Sequence, residues 1–326
     1  KLLITFGEKN IMFPELANLG KNDWWRYILG IMFVFLSYII GQFIMYGIVI
    51  LNSPSYAAGI TMLQSFEETM NFEVLGMPKN VVFILLISWF IFATGGLYIV
   101  VRNLHRKEFI KMITPHHKIN FSKILFGFVL WMIISITLES VNYFTDPENY
   151  TFRWDINSFL PLVVISFVFL PIQTSFEELF FRGYILQGIY WFSKNKWLPI
   201  LISSIFFGLV HGTNPEVAKY GFWTMQVYYI LAGLFLALIT VMDDSLELAL
   251  GVHAATNIFG ATLFTYEGSV LQTDSLFITH NIDPILMTFA FFVGALLFMM
   301  ICHYKYKWPK WNYIFSKNDN LPEILT

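Results

Sequence analysis

Three short motifs in the second half of the chain place polar and ionisable side chains inside apolar stretches. They are Glu177-Glu178 with Arg182 (E-E-x-x-x-R), Phe207 with His211 (F-x-x-x-H) and His253 with Asn257 (H-x-x-x-N). An i, i+4 spacing puts two side chains on one face of a helix. Ionisable groups at membrane depth are costly, so they face a protein interior and mark function. Adjacent helical residues point about 100° apart, so Glu178 faces Arg182 while Glu177 is left free to work as an acid or a base. A Glu178–Arg182 ion pair alone would leave Glu177 unexplained. His211 alone could cap a helix, and His253 with Asn257 could bridge two helices. Their occurrence together points to a buried catalytic centre. The chain also carries a control, because Ser-Phe-Glu-Glu occurs at 65–68 as well as at 175–178. The first copy has no arginine four residues on and reads as solvated charge in a polar loop.

The elements that must position these groups are membrane helices. The chain is 56% hydrophobic and 13% charged, with a mean hydropathy of +0.61, whereas a soluble domain carries about a quarter charged residues. Eight apolar segments approach the length of about 20 residues that a bilayer requires: 27–51, 81–101, 124–144, 159–192, 198–211, 222–242, 246–264 and 284–304. The expected fold is therefore all-α, a polytopic membrane protein of about eight transmembrane helices. Residues 1–26 form an arm, 27–304 the transmembrane domain with its functional core at about 159–264, and 305–326 a tail. The fourth segment is too long for one straight span and carries Pro171, which should kink or break it. The useful helix then runs from Thr174 to Phe192. The fifth segment ends in the loop signal His211-Gly212-Thr213-Asn214-Pro215. At about 1.5 Å per residue, His211, Glu177 and His253 lie roughly 20, 25 and 14 Å from the boundary they share, within reach of one layer if helices tilt.

Charge fixes the expected orientation. With eight spans, 17 of the 20 Lys and Arg fall on the side of the two termini, leaving Lys79, Arg153 and Lys219 on the other. Both termini are thus expected in the cytoplasm. The basic stretch 102–123 should lie along the lipid surface, with His116 and His117 exposed, and the loop 52–80 should hold a short interfacial helix. A net charge of −2 argues against a nucleic-acid partner. The single cysteine, Cys302, leaves no intrachain disulfide and no cysteine-based metal site. No secretory signal is expected ahead of the first span.

In this order, and on successive hydrophobic segments, the three motifs resemble the CPBP family, the CAAX proteases and bacteriocin-processing enzymes also called Abi proteins. That family includes the type II CAAX prenyl proteases. The resemblance covers about 159–264, and Glu177-Glu178-Leu179-Phe180-Phe181-Arg182-Gly183 looks particularly like prokaryotic members. It implies an intramembrane endopeptidase of the glutamate type in a prokaryotic cell (inner) membrane. Glu177 would be the general base, with His211 holding and polarising the water. His253 and Asn257 would donate to the oxyanion, while Glu178 and Arg182 brace the helix and Phe207 completes the second motif. No cofactor is implied. The alternative is a Zn²⁺-dependent version of the same hydrolysis, using His211, His253 and Glu177 or Glu178, although the H-E-x-x-H pattern is absent. The expected partners are the lipid bilayer and a hydrophobic or lipid-associated peptide, in bacteriocin or peptide processing or in self-immunity. Two other classes use the same residue types: a proton-coupled transporter, for which no internal repeat is seen, and an immunity or binding protein without turnover.

Overall fold

The computed structural model describes residues 12–315. Its chain is an all-α polytopic membrane protein with one small sheet. The helices are α1 (Trp24–Asn52), α2 (Tyr56–Thr69), α3 (Lys79–Ile99), α4 (Phe121–Thr145), α5 (Ile156–Glu178), α6 (Leu186–Ser193), α7 (Trp197–Val210), α8 (Pro215–Tyr220), α9 (Phe222–Asp243), α10 (Glu247–Thr262) and α11 (Pro284–Tyr306). Each of the eight apolar segments is helical. Among the described residues, six stretches are long and apolar enough to cross a membrane, while the helices at Trp197–Thr213 and Glu247–Thr262 are shorter. At about 1.5 Å per residue, α10 with its 16 residues spans about 24 Å, less than the roughly 30 Å hydrocarbon core. It is surrounded by α4, α5 and α9, and most of its residues are buried.

The fourth segment corrects an expectation. It is not broken at Pro171 but runs as one 38-residue helical stretch, Ile156–Ser193, with Pro161 and Pro171 both inside α5. A proline forfeits one backbone hydrogen bond, whereas a break at this depth would leave several backbone groups without water or partner. The irregularity falls instead at Leu179–Ile185, which is π-helical and joins α5 to α6. Wider turns of this kind recur at functional sites.

Close helix crossings set the depth of the motif-bearing helices. A Cβ added to Gly251 of α10 would lie 2.1 Å from the Ile124 carbonyl oxygen, and one added to Gly127 of α4 would lie 2.8 Å from that of Leu248. Only two facing glycines let these backbones approach so closely. Gly251 sits two residues before His253, so this crossing fixes where that histidine lies.

The all-α reading did not anticipate the sheet. Strands β1 (Tyr150–Phe152), β2 (Phe264–Tyr266) and β3 (Phe277–Thr279) pair in the order β1-β3-β2, with β1 antiparallel and β2 parallel to β3. They tie the α4–α5 connection to the α10–α11 connection. Three-residue strands carry too little alternation to be read from sequence.

Two surface assignments also change. The first Ser-Phe-Glu-Glu copy lies on α2, the helix expected within 52–80, and not in a loop; Glu67 accepts a hydrogen bond from the Tyr46 hydroxyl at 2.5 Å. The stretch 102–123 is only partly superficial. His116 and His117 are exposed, but His105 and Lys107 are buried. Lys107 donates to Gln187, and the His105 ring meets the Tyr184 hydroxyl at 2.9 Å. Part of the expected N-terminal arm is likewise packed in. Phe13 and Leu16 are buried, and the Phe13 N–H donates to Asp244 Oδ1 at 2.5 Å. The outer parts of the 1–26 arm and the 305–326 tail lie outside the described residues.

Candidate active site

Glu177 and Glu178 occupy the last turn of α5, where the helix passes into its π-helical stretch. The three motifs meet there. Glu177 Oε2 is 3.5 Å from His253 Nε2 and 4.0 Å from His211 Nε2. Glu177 is 7% exposed, and its Oε2 has no hydrogen-bond partner among the described residues.

His211 ends α7. Its Nδ1 is 2.6 Å from the Phe207 carbonyl oxygen, so Nδ1 carries the proton and Nε2 presents a lone pair towards Glu177. The ring is held between Phe207, at 4.4 Å between centroids, and Tyr229, stacked at 4.7 Å and 27°. Phe207 therefore serves both sides of the site, because the Arg182 guanidinium lies over its other neighbourhood at 4.4 Å from the ring centroid.

Glu178 is the hub beneath Glu177. It is fully buried, and its Oε1 accepts from Arg182 Nη1 at 2.8 Å while standing 2.7 Å from His253 Nδ1. Arg182, also fully buried, donates a second hydrogen bond to the Gly233 carbonyl of α9 at 3.1 Å. The ion pair expected from spacing thus also orients His253: with Nδ1–H directed at Glu178, Nε2 points to Glu177. Charged groups taken from water in this way persist only when paired and hydrogen-bonded.

Asn257 is placed one hydrogen bond away from the glutamate. Its Nδ2 donates to Gln173 Oε1 at 2.9 Å, and Gln173 Nε2 donates to Glu177 Oε1. Gln173 was not singled out from sequence. The signal that could have found it is its i−4 position relative to Glu177, the same spacing as in the motifs.

Tyr229 and Glu216 were also missed. Glu216 on α8 is 3% exposed; its Oε1 accepts from the Tyr229 hydroxyl at 2.9 Å and the Tyr266 hydroxyl at 3.3 Å. Asn214 Nδ2 also donates to the Tyr229 hydroxyl, at 3.1 Å. Burial raises the Glu216 carboxyl above the usual carboxylate range, opposed by its hydrogen bonds. Nothing in an apolar helix marks one tyrosine as the one that faces a histidine.

Glu177, His211, His253, Asn257, Gln173 and Tyr229 all line a cavity of about 1810 Å³ walled mainly by apolar and aromatic side chains. That exceeds the roughly 300–1,000 Å³ of a small-molecule pocket and suits a peptide segment. Among the described residues, no three His, Cys, Asp or Glu side chains are disposed to hold a metal ion. The arrangement can position a water beside a carboxylate and move a proton from it.

Comparison with known proteins bears on this site. A family model described as "Type II CAAX prenyl endopeptidase Rce1-like" matches residues 156–259, the region that carries all three motifs. The "Uncharacterized protein YyaK" of Bacillus subtilis (strain 168) is 29% identical over 297 residues, covering 89% of this chain and 95% of that protein. The "UPF0177 protein YxdF" of Lactococcus lactis subsp. lactis (strain IL1403) is 33% identical over 131 residues, 40% of this chain and 67% of that protein. No solved structure matches the chain.

Proposed function

Because the chain belongs to the type II CAAX prenyl endopeptidase Rce1-like family, a family of proteases, we propose that it is an intramembrane endopeptidase that hydrolyses peptide bonds with a glutamate-activated water. The observation that carries this reading is the convergence of Glu177 Oε2, without a hydrogen-bond partner among the described residues, on the Nε2 atoms of His253 and His211 at 3.5 and 4.0 Å, on the wall of the cavity.

A polar contact longer than about 3.5 Å is the spacing a bridging water fills. A water shared by Glu177 Oε2 and His211 Nε2 would donate one hydrogen to each and turn a lone pair towards a scissile carbonyl. Attack forms the C–O bond as Glu177 accepts the proton. Collapse of the tetrahedral intermediate then breaks the C–N bond, and the proton passes from Glu177 to the leaving amine. The oxyanion would be met by His253 and Asn257. For His253 this requires protons on both ring nitrogens, since Nδ1–H faces Glu178. For Asn257 it uses the amide hydrogen not committed to Gln173.

A metal-free mechanism is part of this proposal, supported by the absence of H-E-x-x-H from the sequence. The substrate is proposed to be a hydrophobic or lipid-associated peptide, in bacteriocin or peptide processing or in self-immunity, because the cavity wall is mainly apolar. Both termini are proposed to be cytoplasmic, supported by the skewed distribution of Lys and Arg. Membership of a protease family lends no support to a transporter or a non-catalytic binding protein. Purified protein given fluorogenic peptides with apolar cores tests the reading: cleavage that depends on Glu177 supports it, and no cleavage of any such peptide counts against it.

A further inference from the structure

Apart from the histidines at its catalytic end, the charge lining the cavity is one-sided. Among the described residues, six carboxylates besides Glu177 line it, Glu67, Glu139, Asp146, Glu148, Glu216 and Asp283, and no lysine or arginine does. None of the six forms an ion pair with Lys or Arg among the described residues. Elsewhere Glu178, Asp243, Glu73 and Asp274 are all so paired. The three basic residues at this end of the bundle turn to other groups: Lys79 to Glu73 and Asp274, Arg153 to the Thr273 carbonyl, and Lys219 to the Glu267 carbonyl.

The six also share a location. Chain direction places α2, the end of α4 with the loop after it, α8 and the start of α11 at the end of the bundle remote from the 102–123 stretch. Four of them gather at one rim. Glu139 accepts from the Tyr150 hydroxyl at 2.7 Å, and the 146–149 turn is laced to Asn281, two residues before Asp283, by hydrogen bonds of 2.7 and 2.8 Å. Glu216 lies deeper. It is 3% exposed and lines the cavity, with its Oε1 taken up by the Tyr229 and Tyr266 hydroxyls.

A cleft walled by low-dielectric side chains and carrying charge of one sign concentrates ligands of the opposite sign. Resting on the endopeptidase reading above, we infer that the substrate is a cationic amphipathic peptide: an apolar segment seated against the aromatic walls, flanked by Lys or Arg that meet the carboxylate rim. A peptide flanked by acidic residues would be repelled at the same rim.

Purified full-length protein in detergent micelles is given three internally quenched peptides that share one apolar core and carry Lys, Gln or Glu flanks. The expected KM for the Lys-flanked peptide is lower than for the Glu-flanked one by on the order of tenfold or more. Raising the ionic strength towards 1 M, where the Debye length falls to about 3 Å, closes most of that gap. The exposed double variant Asp146→Asn/Glu148→Gln narrows the gap at low salt. Equal KM values for the three peptides overturn the inference and leave proteolysis standing. A gap that the double variant does not narrow overturns the assignment to this rim. If none of the peptides is cleaved, the endopeptidase reading fails, and fluorescence anisotropy with the same peptides decides the charge selection separately. Tighter binding of the Lys-flanked peptide supports it, and equal binding overturns it.

Discussion

One oxygen of Glu178 holds both ends of the site: Oε1 lies 2.8 Å from Arg182 Nη1 and 2.7 Å from His253 Nδ1. Glu178→Ala therefore removes two contacts at once. It leaves Arg182 as an unpaired buried cation, and breaking such a pair destabilises by roughly 3–5 kcal/mol. A clear drop in melting temperature is expected, with activity lost alongside because His253 loses its orienting partner. Wild-type stability combined with complete inactivity would move the chemical role from Glu177 to Glu178.

Tyr229 is expected to act through His211. Its ring stacks on the imidazole at 4.7 Å, and an aromatic pair of this kind contributes about 0.5–1.5 kcal/mol beyond burial. Tyr229→Ala should lower kcat by roughly tenfold, because His211 is no longer held in one plane, with rates following the usual exponential dependence on barrier height. Tyr229→Phe, which keeps the ring, should retain most of it. Equal losses in the two variants would show that the hydroxyl, not the stack, is what matters.

The buried Glu216 predicts a pH dependence of stability. Burial raises its carboxyl above the ordinary 4.5, so the folded chain binds this proton more tightly than the unfolded chain. Its contribution to stability is full below about 4.5 and is lost as pH rises through the raised value. Melting temperature should thus decline more steeply with pH above 4.5 in the wild type than in Glu216→Gln. Identical slopes would remove Glu216 as the titrating group.

Much of the site was legible because it is local. The i, i+4 pairs Glu178–Arg182, Phe207–His211 and His253–Asn257 lie within single helices, and helical geometry dictates which side chains share a face. The eight helical segments were legible from apolar run length for the same kind of reason. What was not legible depends on tertiary packing. The His253–Glu178 contact joins residues 75 apart, and Tyr229 looks like any aromatic in an apolar helix until α9 packs on α7. Pro171 misled because proline usually ends helices in water, whereas inside a bundle the cost of exposing further backbone keeps α5 continuous. Lys107, read as a surface charge from its basic surroundings, is buried against Gln187.

That last correction changes how topology is best probed. Lys118 and Lys219 are both exposed, and the native Cys302 is buried, so it contributes little background labelling. A cysteine at position 118 should be modified only from the cytoplasmic side, and one at position 219 only from the opposite side, following the distribution of basic residues. Labelling of both from one face would mean that the chain crosses the bilayer a different number of times between them.

The metal question separates two versions of one reaction. Under the proposed mechanism, activity survives prolonged treatment with a strong chelator, and the purified protein lacks stoichiometric zinc. A Zn²⁺ site formed by His211, His253 and Glu177 or Glu178 predicts the reverse, with either His→Ala change lowering bound metal. One zinc per chain, lost and regained together with activity, would replace the metal-free mechanism while leaving the endopeptidase assignment in place.

Turnover by purified Glu177→Gln on a fluorogenic peptide tests the central claim most directly. Glutamine keeps the size of the side chain and can still accept a hydrogen bond from Gln173, but it cannot take a proton from water at neutral pH. Loss of a general base lowers the rate by at least about 10²-fold, with melting temperature close to that of the wild type. A well-folded Glu177→Gln protein that cleaves the peptide at near-normal rate would contradict the mechanism.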